Sequence, residues 1–390
     1  MGPMIILDKS ALQALSHREV GFLSKHYTIV VTPVLIVEVL ANLAKGDQAD
    51  FSREAVRMLA DKLNPIDAKI NVHYRLICID SLLGGHMPMD GRPVLGGAVP
   101  ITAKDGSRGV FIDESPEAKA IIRWRQGVFS DDEMSSAQEW RESARAIDLE
   151  GQRRMVREAL GGTPAIKSVE ELGTLVDQML TAPAPERQWP NIAQFMEAIR
   201  IPVDGRRWIR ARWESAGRPP FQAFAPYAFY CARANLVFGL GVVSGVVTTR
   251  PTNRVDLEYL YYLPFCYIFC SGDDLHVSLS KLFLRQEEGY KGQRFIHRDE
   301  MKRDLQWLVS DWDGLDEAEK EKRIDDYGSY PPEREDSVTY QLWKSHMRPR
   351  KPGSGNLLRK MSKEDQERLM EQMRPMMDAI KEVEESRDRR

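Results

Sequence analysis

MIILDKS, residues 4–10, runs an apolar segment straight into a carboxylate and then into a helix start. MIIL reads as a short buried strand, and SALQALS after it as a helix capped near Ser10. Outward from there, YTIVVTP gives a second strand, rich in β-branched residues and closed by Pro33. VLIVEVLANLAK reads as a helix with Pro33 at or before its first turn. SREAVRMLADKL reads as a further helix stopped by Pro65. Buried strands alternating with amphipathic helices predict an α/β domain built on a parallel sheet.

The pattern breaks after residue 80 and resumes near residue 221. GGHMPMDGRPVLGGAVP, within 83–109, is dense in Gly and Pro and reads as a loop or linker. Helical patterns follow, among them SPEAKAIIRWRQGVF, the long charged DDEMSSAQEWRESARAIDLEGQRRMVREAL and WPNIAQFMEAIR. Residues 81–220 therefore read as a mostly α-helical insertion. Apolar density returns with FQAFAPYAFYCARANLVFGLGVVSGVV. The chain then gives NRVDLEYLYYLPF as a helix, CYIFCS as a strand, LHVSLSKLFL as a helix and QRFIH as an edge strand. These elements, 221–311, read as the second part of the domain begun in 1–80. The last segment, 312–390, is charged and punctuated by Pro and Gly. It ends in a helix whose Leu369, Met373, Met376, Ile380 and Val383 fall at helical spacing, a stripe suited to docking on this chain or on a partner helix.

The chain has 390 residues, 42% hydrophobic and 29% charged, with a formal net charge of -3. No global positive field draws it to a polyanion, so any nucleic-acid contact has to come from local clusters. Cys78, Cys231, Cys266 and Cys270 sit in apolar segments without zinc spacing, as buried thiols of a reducing compartment do. With no signal-peptide pattern and no apolar run of roughly 18 residues, the expectation is a soluble cytoplasmic protein without a membrane partner.

Four acidic positions lie beside apolar segments: Asp8 at the end of the first strand, Glu38 inside VLIVEVL, Asp256 at the start of DLEYLYYLPF and Asp273 at the end of CYIFCSGDD. In an open parallel sheet the carboxyl ends of the strands share one edge, so Asp8 and Asp273 belong to one cleft and Asp256 can face it. Clustered carboxylates repel and need a counter-charge. A hard divalent ion such as Mg²⁺ supplies one through oxygen ligands, and can activate water and stabilise charge on a phosphoryl group. Each position also has an ordinary structural role. Asp8 and Asp273 suit helix N-caps, Asp256 suits a cap or the helix dipole, and Glu38 could pair with an arginine or lie on an exposed stripe.

The order strand-Asp, helix-Glu, helix-Asp, strand-Ser-x-Asp resembles the PIN domain, a family of metal-dependent nucleases. The resemblance rests on IILDKS, TPVLIVEVL, NRVDLEYLYYLPF and FCSGDD and spans roughly 1–80 and 221–311. It implies an α/β fold with a PIN-like central parallel sheet flanked by helices, here split by the helical insertion and followed by a charged helical tail. It also implies that Asp8, Glu38, Asp256 and Asp273 hold Mg²⁺ or Mn²⁺, with Ser10 and Ser271 orienting ligands or water. Asp274, one residue beyond Ser271-Gly272-Asp273, fits less well. The implied activity is hydrolysis of RNA, less often DNA, by metal-activated water, in a toxin-like or defence setting by analogy alone. A non-catalytic protein-binding scaffold on the same fold and a phosphohydrolase of small nucleotides are the rival readings.

GRRWIRARW places Arg206, Arg207, Arg210 and Arg212 beside Trp208 and Trp213, either as an RNA platform of phosphate binders and stacking rings or as an amphipathic helix. RWRQ (123–126) is a weaker cluster, and HMRPRKPGSGNLLRK in the tail is basic but suits a solvated linker. The insertion or the terminal helix could carry an inhibitor or partner protein. His73, His86, His276 and His297 lack metal spacing; His276 follows Asp273-Asp274 closely and could approach a phosphate, but is expected on a helix surface. GLGVVSG lacks the residues of a nucleotide-binding loop and is expected to end a buried, closely packed helix.

Overall fold

The structure is a computed structural model that describes residues 2–45, 49–63, 68–112, 114–162, 165–181, 185–285, 292–347 and 361–388. Elements are numbered in chain order. The first part runs β1 (Met4–Leu7), α1 (Lys9–Ala14), α2 (His17–His26), β2 (Thr28–Val31), α3 (Pro33–Leu40), α4 (Ala49–Lys62), β3 (Lys69–Ile70) and α5 (Tyr74–Leu83). Next come a hairpin, β4 (Ala98–Thr102) and β5 (Arg108–Ile112), and the helices α6 (Pro116–Arg125), α7 (Asp131–Arg145), α8 (Leu149–Leu160), α9 (Val169–Leu180), α10 (Pro185–Ala198) and α11 (Val203–Ser215). The chain continues with α12 (Phe221–Phe224), α13 (Pro226–Ser244), α14 (Asn253–Leu260), β6 (Ile268–Ser271), α15 (Asp274–Leu279), β7 (Arg294–His297) and α16 (Arg298–Asp313). It closes with α17 (Glu317–Tyr327), α18 (Val338–His346) and α19 (Lys363–Asp388).

β1, β2, β3, β6 and β7 form one parallel five-stranded sheet in the order β3-β2-β1-β6-β7, flanked by helices. The chemistry of each strand matches its place. β1, β2 and β6 are central and covered on both faces, so they are nearly continuous apolar runs. β7, RFIH, is an edge strand and half-exposed, as QRFIH suggested. The register pairs Ile5 with Ile29 on one side and with Ile268 on the other, and pairs Leu7 with Cys270. Asp8 thereby emerges beside Ser271, where the backbone N–H of Asp8 donates to the Cys270 carbonyl at 3.2 Å.

The helix starts are written locally. Asp8 caps α1 by accepting from the Ala11 amide, and Ser16 and Glu19 form a reciprocal capping box on α2. Thr32 caps α3 with Pro33 in its first turn, and Asp273 caps α15. The run LEYLYYLPF is almost wholly buried, and its hydroxyls are satisfied. Tyr261 donates to Asn235 Oδ1 at 2.9 Å, and Tyr262 accepts from the Tyr74 amide at 2.9 Å. GLGVVSG ends α13 as expected: Gly241 is buried where a Cβ would crowd Val247 and Leu172, and Gly245 closes the helix at φ 92°.

The middle segment shares its core with the sheet. One continuous hydrophobic cluster runs from β1 through Trp124 of α6, Leu172 of α9 and Phe221 to Leu305 of α16. α6 packs on α4, α7 on the 3₁₀ turn Ala41–Ala44, and α13 on α5 and α9.

Several expectations change. The Gly/Pro-rich stretch is a loop only up to Gly97, and its end folds into the β4–β5 hairpin with Ala98 paired to Ile112. A separate helix, α2, follows α1. The helix NRVDLEYLYYLPF begins at Asn253 as read, so Asp256 lies in its first turn rather than at its start. The segment after residue 312 is not all appendage. α18 buries Tyr340, Leu342 and Trp343, and the Trp343 indole donates to the His26 carbonyl at 2.8 Å. The terminal stripe lies partly on this chain: Met376 sits against Gly109 of β5, while Met370 and Met373 are exposed. Most of the basic tail cluster, 348–360, lies outside the described residues, as does the end of the stripe at Val383 as a side chain. Among the described residues, no helix is long and apolar enough to cross a membrane.

Candidate active site

Asp8 leaves the end of β1 almost fully buried, with 3% of its surface exposed. Its carboxylate accepts from the Ala11 amide at 2.7 Å, from the Ser10 hydroxyl at 2.9 and 3.0 Å, and from the Ser271 hydroxyl at 2.6 Å. Ser271 in turn accepts from the Asp273 amide at 3.0 Å, and Ser10 accepts from the Gly272 amide at 3.1 Å. Residues some 260 positions apart thus lock together across the β1–β6 edge. Ser10 and Ser271 both touch the Asp8 carboxylate.

His276 is the correction with most consequence. Expected on a helix surface, it is fully buried. Its Nε2 lies 2.7 Å from the Asp256 carbonyl oxygen, which can only accept, so Nε2 donates. Its Nδ1 lies 2.8 Å from Ser271 Oγ and 3.4 Å from Asp8 Oδ2. With the one Ser271 hydrogen given to Asp8, Nδ1 donates as well, an arrangement that favours the imidazolium. Burial opposes that charge, but the hydrogen bond and charge of Asp8, with the charge and carbonyl of Asp256, together raise the histidine pKa. Reciprocally, burial pushes Asp8 up, while the hydrogen bond and charge of His276, with Ser271 and the Ala11 amide, hold it below the usual range.

Glu38 projects from α3 to the same place. Its Oε2 accepts from the Tyr259 hydroxyl at 2.5 Å, and Tyr259 accepts from the Lys9 amide at 3.2 Å. The Lys9 ammonium donates to the Glu38 carbonyl at 2.8 Å and to Asn42 Oδ1 at 3.2 Å. Burial raises the Glu38 pKa against the pull of Tyr259 and Lys9. Burial also lowers that of Lys9 against the pull of Glu38.

Asp256, in the first turn of α14, stands apart. Its Oδ2 is buried without a hydrogen-bond partner. Burial pushes its carboxyl pKa up to about 7, with the Asp273 and Glu38 charges adding to the shift and His276 and Arg250 opposing it. Asp273 accepts from the Leu275 amide at 2.9 Å and faces Arg250 Nη1 at 3.6 Å. Asp274 is exposed. Asp8, Glu38, Asp256 and Asp273 therefore occupy one electrostatic neighbourhood.

Their fit to a divalent cation divides in two. The chemistry fits, because a buried carboxylate oxygen lacks a partner among other carboxylates. In the positions described, however, no three acidic, histidine or cysteine side chains among the described residues stand ready to hold an ion.

The α11 cluster is arranged differently. Arg206 donates to the Ile201 carbonyl at 2.7 Å, and Arg212 donates to the Leu82 carbonyl at 2.9 Å while lying over the Phe224 ring. Arg207 pairs with Asp204 and Arg210 with Glu214, both within the helix. Trp213 is buried against Trp189, whereas Trp208 is 75% exposed.

Sequence reasoning placed His276 on the surface and missed Tyr259, Lys9 and Arg250. Spacing could have given Tyr259, one helical turn after Asp256, and adjacency could have given Lys9. Nothing in the sequence marked His276 as buried. The four cysteines are free and buried. Compared with family models, curated proteins and solved structures, the chain has no match.

Proposed function

We propose that this protein is a metal-dependent phosphodiesterase with a PIN-like site, acting on nucleic acid, with RNA the first candidate. The single observation that carries the reading is the partnerless buried oxygen of Asp256 beside Glu38 and Asp273. A carboxyl group in such a place either takes up a proton near pH 7 or takes a cation. Asp256, Asp273, Asp8 and Glu38 would hold Mg²⁺ or Mn²⁺. The ion would supply positive charge for the phosphoryl oxygens and acidity for an attacking water. The chain's own residues do the rest. Ser10, Ser271 and His276 fix Asp8 in one orientation, and Tyr259 fixes Glu38. Until an ion binds, burial beside Asp273 and Glu38 keeps the Asp256 carboxyl pKa at about 7.

The test incubates the purified protein with RNA and with DNA, in Mn²⁺, Mg²⁺ or chelator, beside Asp8→Asn and Asp256→Asn variants. Cleavage that depends on metal and is lost in both variants is expected. Cleavage that persists in chelator or in both variants sinks the reading.

A second reading, a non-catalytic scaffold, is favoured by a different observation. His276 and Arg250 already stand against Asp8 and Asp273, and the Glu38 carboxylate is held by Tyr259 with the Lys9 charge nearby, so two of the four carboxylates have resident cations. Under that reading neither polymer is cut in any metal, and calorimetric titration of Mn²⁺ into the protein gives no heat that Asp256→Asn abolishes.

A further inference from the structure

Two arginines reach the rim of this cleft from segments that supply no carboxylate. Arg250 comes from the turn between α13 and α14. Its side chain is 57% exposed, and its guanidinium is 3.6 Å from Asp273 Oδ2. Arg298 comes from the β7–α16 junction, and its stem crosses directly over Gly272, where any Cβ would overlap it. Position 272 must therefore be glycine for Arg298 to lie there. The Arg298 Nε is buried without a hydrogen-bond partner, with Asp299 Oδ1 at 3.4 Å as its nearest charge. Both guanidiniums thus flank Ser271-Gly272-Asp273, held by ion pairs at 3.6 and 3.4 Å, unlike Arg206 and Arg212, which hold main-chain carbonyls.

We propose that Arg250 and Arg298 form a phosphate clamp that seats the backbone of a single-stranded nucleic acid across Gly272. A guanidinium presents a planar fork of donors that matches phosphate oxygens, and two forks at one rim grip the chain through its phosphates. The inference rests on the nuclease reading and narrows it. The substrate is a polymer held by its backbone, so RNA and DNA of one sequence are gripped alike at this rim. The exposed arginines of α11 lie outside the clamp.

The full chain is tested by fluorescence anisotropy with labelled single-stranded RNA and DNA of equal length, in EDTA, across a salt series. Arg250→Ala and Arg298→Ala are each expected to weaken binding of both polymers about tenfold and to reduce the slope of log Kd against log salt by about 0.7. Arg250→Lys should keep most of the slope, and Arg207→Ala should change neither quantity. If Arg298→Ala loses its circular-dichroism signature, Arg250→Ala alone decides. The clamp is overturned if wild type binds neither polymer, if both alanine variants bind with wild-type affinity and slope, or if the loss is confined to RNA or to DNA. The nuclease reading fails separately. Lost binding in the variants with no cleavage by wild type in Mn²⁺ keeps the clamp and sinks the nuclease. Cleavage with unchanged binding does the reverse.

Discussion

The carboxylates at the β1–β6 edge and the arginines of α11 look alike as sequence, each a set of charges of the kind that nucleic-acid chemistry uses. The fold treats them in opposite ways. Asp8, Glu38, Asp256 and Asp273 lie far apart in the chain and are drawn into one neighbourhood, where burial and mutual repulsion raise Glu38 and Asp256. Arg206, Arg207, Arg210 and Arg212 are neighbours in the chain and are dispersed: two hold main-chain carbonyls and two pair with acids of their own helix. Charges gathered from distant segments cost free energy to assemble, and a fold that assembles them has spent stability on a site. Charges adjacent in sequence cost nothing to bring together and by themselves indicate little.

That contrast can be broken from its strong end. His276→Phe leaves the Asp8 carboxylate buried without its counter-charge, and a loss of about 3–5 kcal/mol is expected in chemical denaturation. A loss under about 1 kcal/mol would show that the ion pair is not what holds the edge. Asp256→Asn should lower metal-dependent cleavage by roughly 100-fold or more, yet stabilise the metal-free protein at pH 8 by on the order of 2 kcal/mol. The sign follows from the folded carboxyl pKa of about 7, above the ordinary value of 3.8. Stability tied to the protonated carboxyl is complete below about pH 4 and is lost as pH rises through about 7. The variant's advantage in EDTA should therefore grow from pH 4 to pH 8. An advantage independent of pH would place its origin elsewhere.

Smaller effects test the other side. Arg212→Ala removes the bond to the Leu82 carbonyl and the contact over Phe224, at a cost of about 1–2 kcal/mol in thermal unfolding with cleavage unchanged. Arg207→Ala removes an exposed pair within one helix and should stay within about 0.5 kcal/mol of wild type. A large loss of cleavage in Arg207→Ala would erase the distinction between the two regions.

Much of the sheet was legible because its central strands are buried on both faces and so carry unbroken apolar runs: MIIL, TIVV and the end of CYIFCS. Asp8 and Asp273 were legible because strand ends in a parallel sheet share an edge. The hairpin was not, since Gly96, Gly97 and Pro100 disguise β4. Proline is tolerated there because a two-stranded sheet leaves it a free edge. His276 was illegible for another reason. A six-residue helix carries too little periodicity to show which face is buried, and His276 is covered by Tyr259 and the Asp256 carbonyl of α14 and by Phe269 of β6.

One pairing in the sheet bears on how the protein comes into being. β1 lies against β6, so Ile5 waits for Ile268 before the centre of the sheet closes. A chain emerging from the ribosome presents Asp8 and Glu38 long before Ser271, Asp273 and His276 exist. Until then Asp8 lacks both its hydroxyl donor and its counter-ion. The cleft cannot assemble before β6 and α15 have been made, and closing a loop of this length is slow relative to local helix formation.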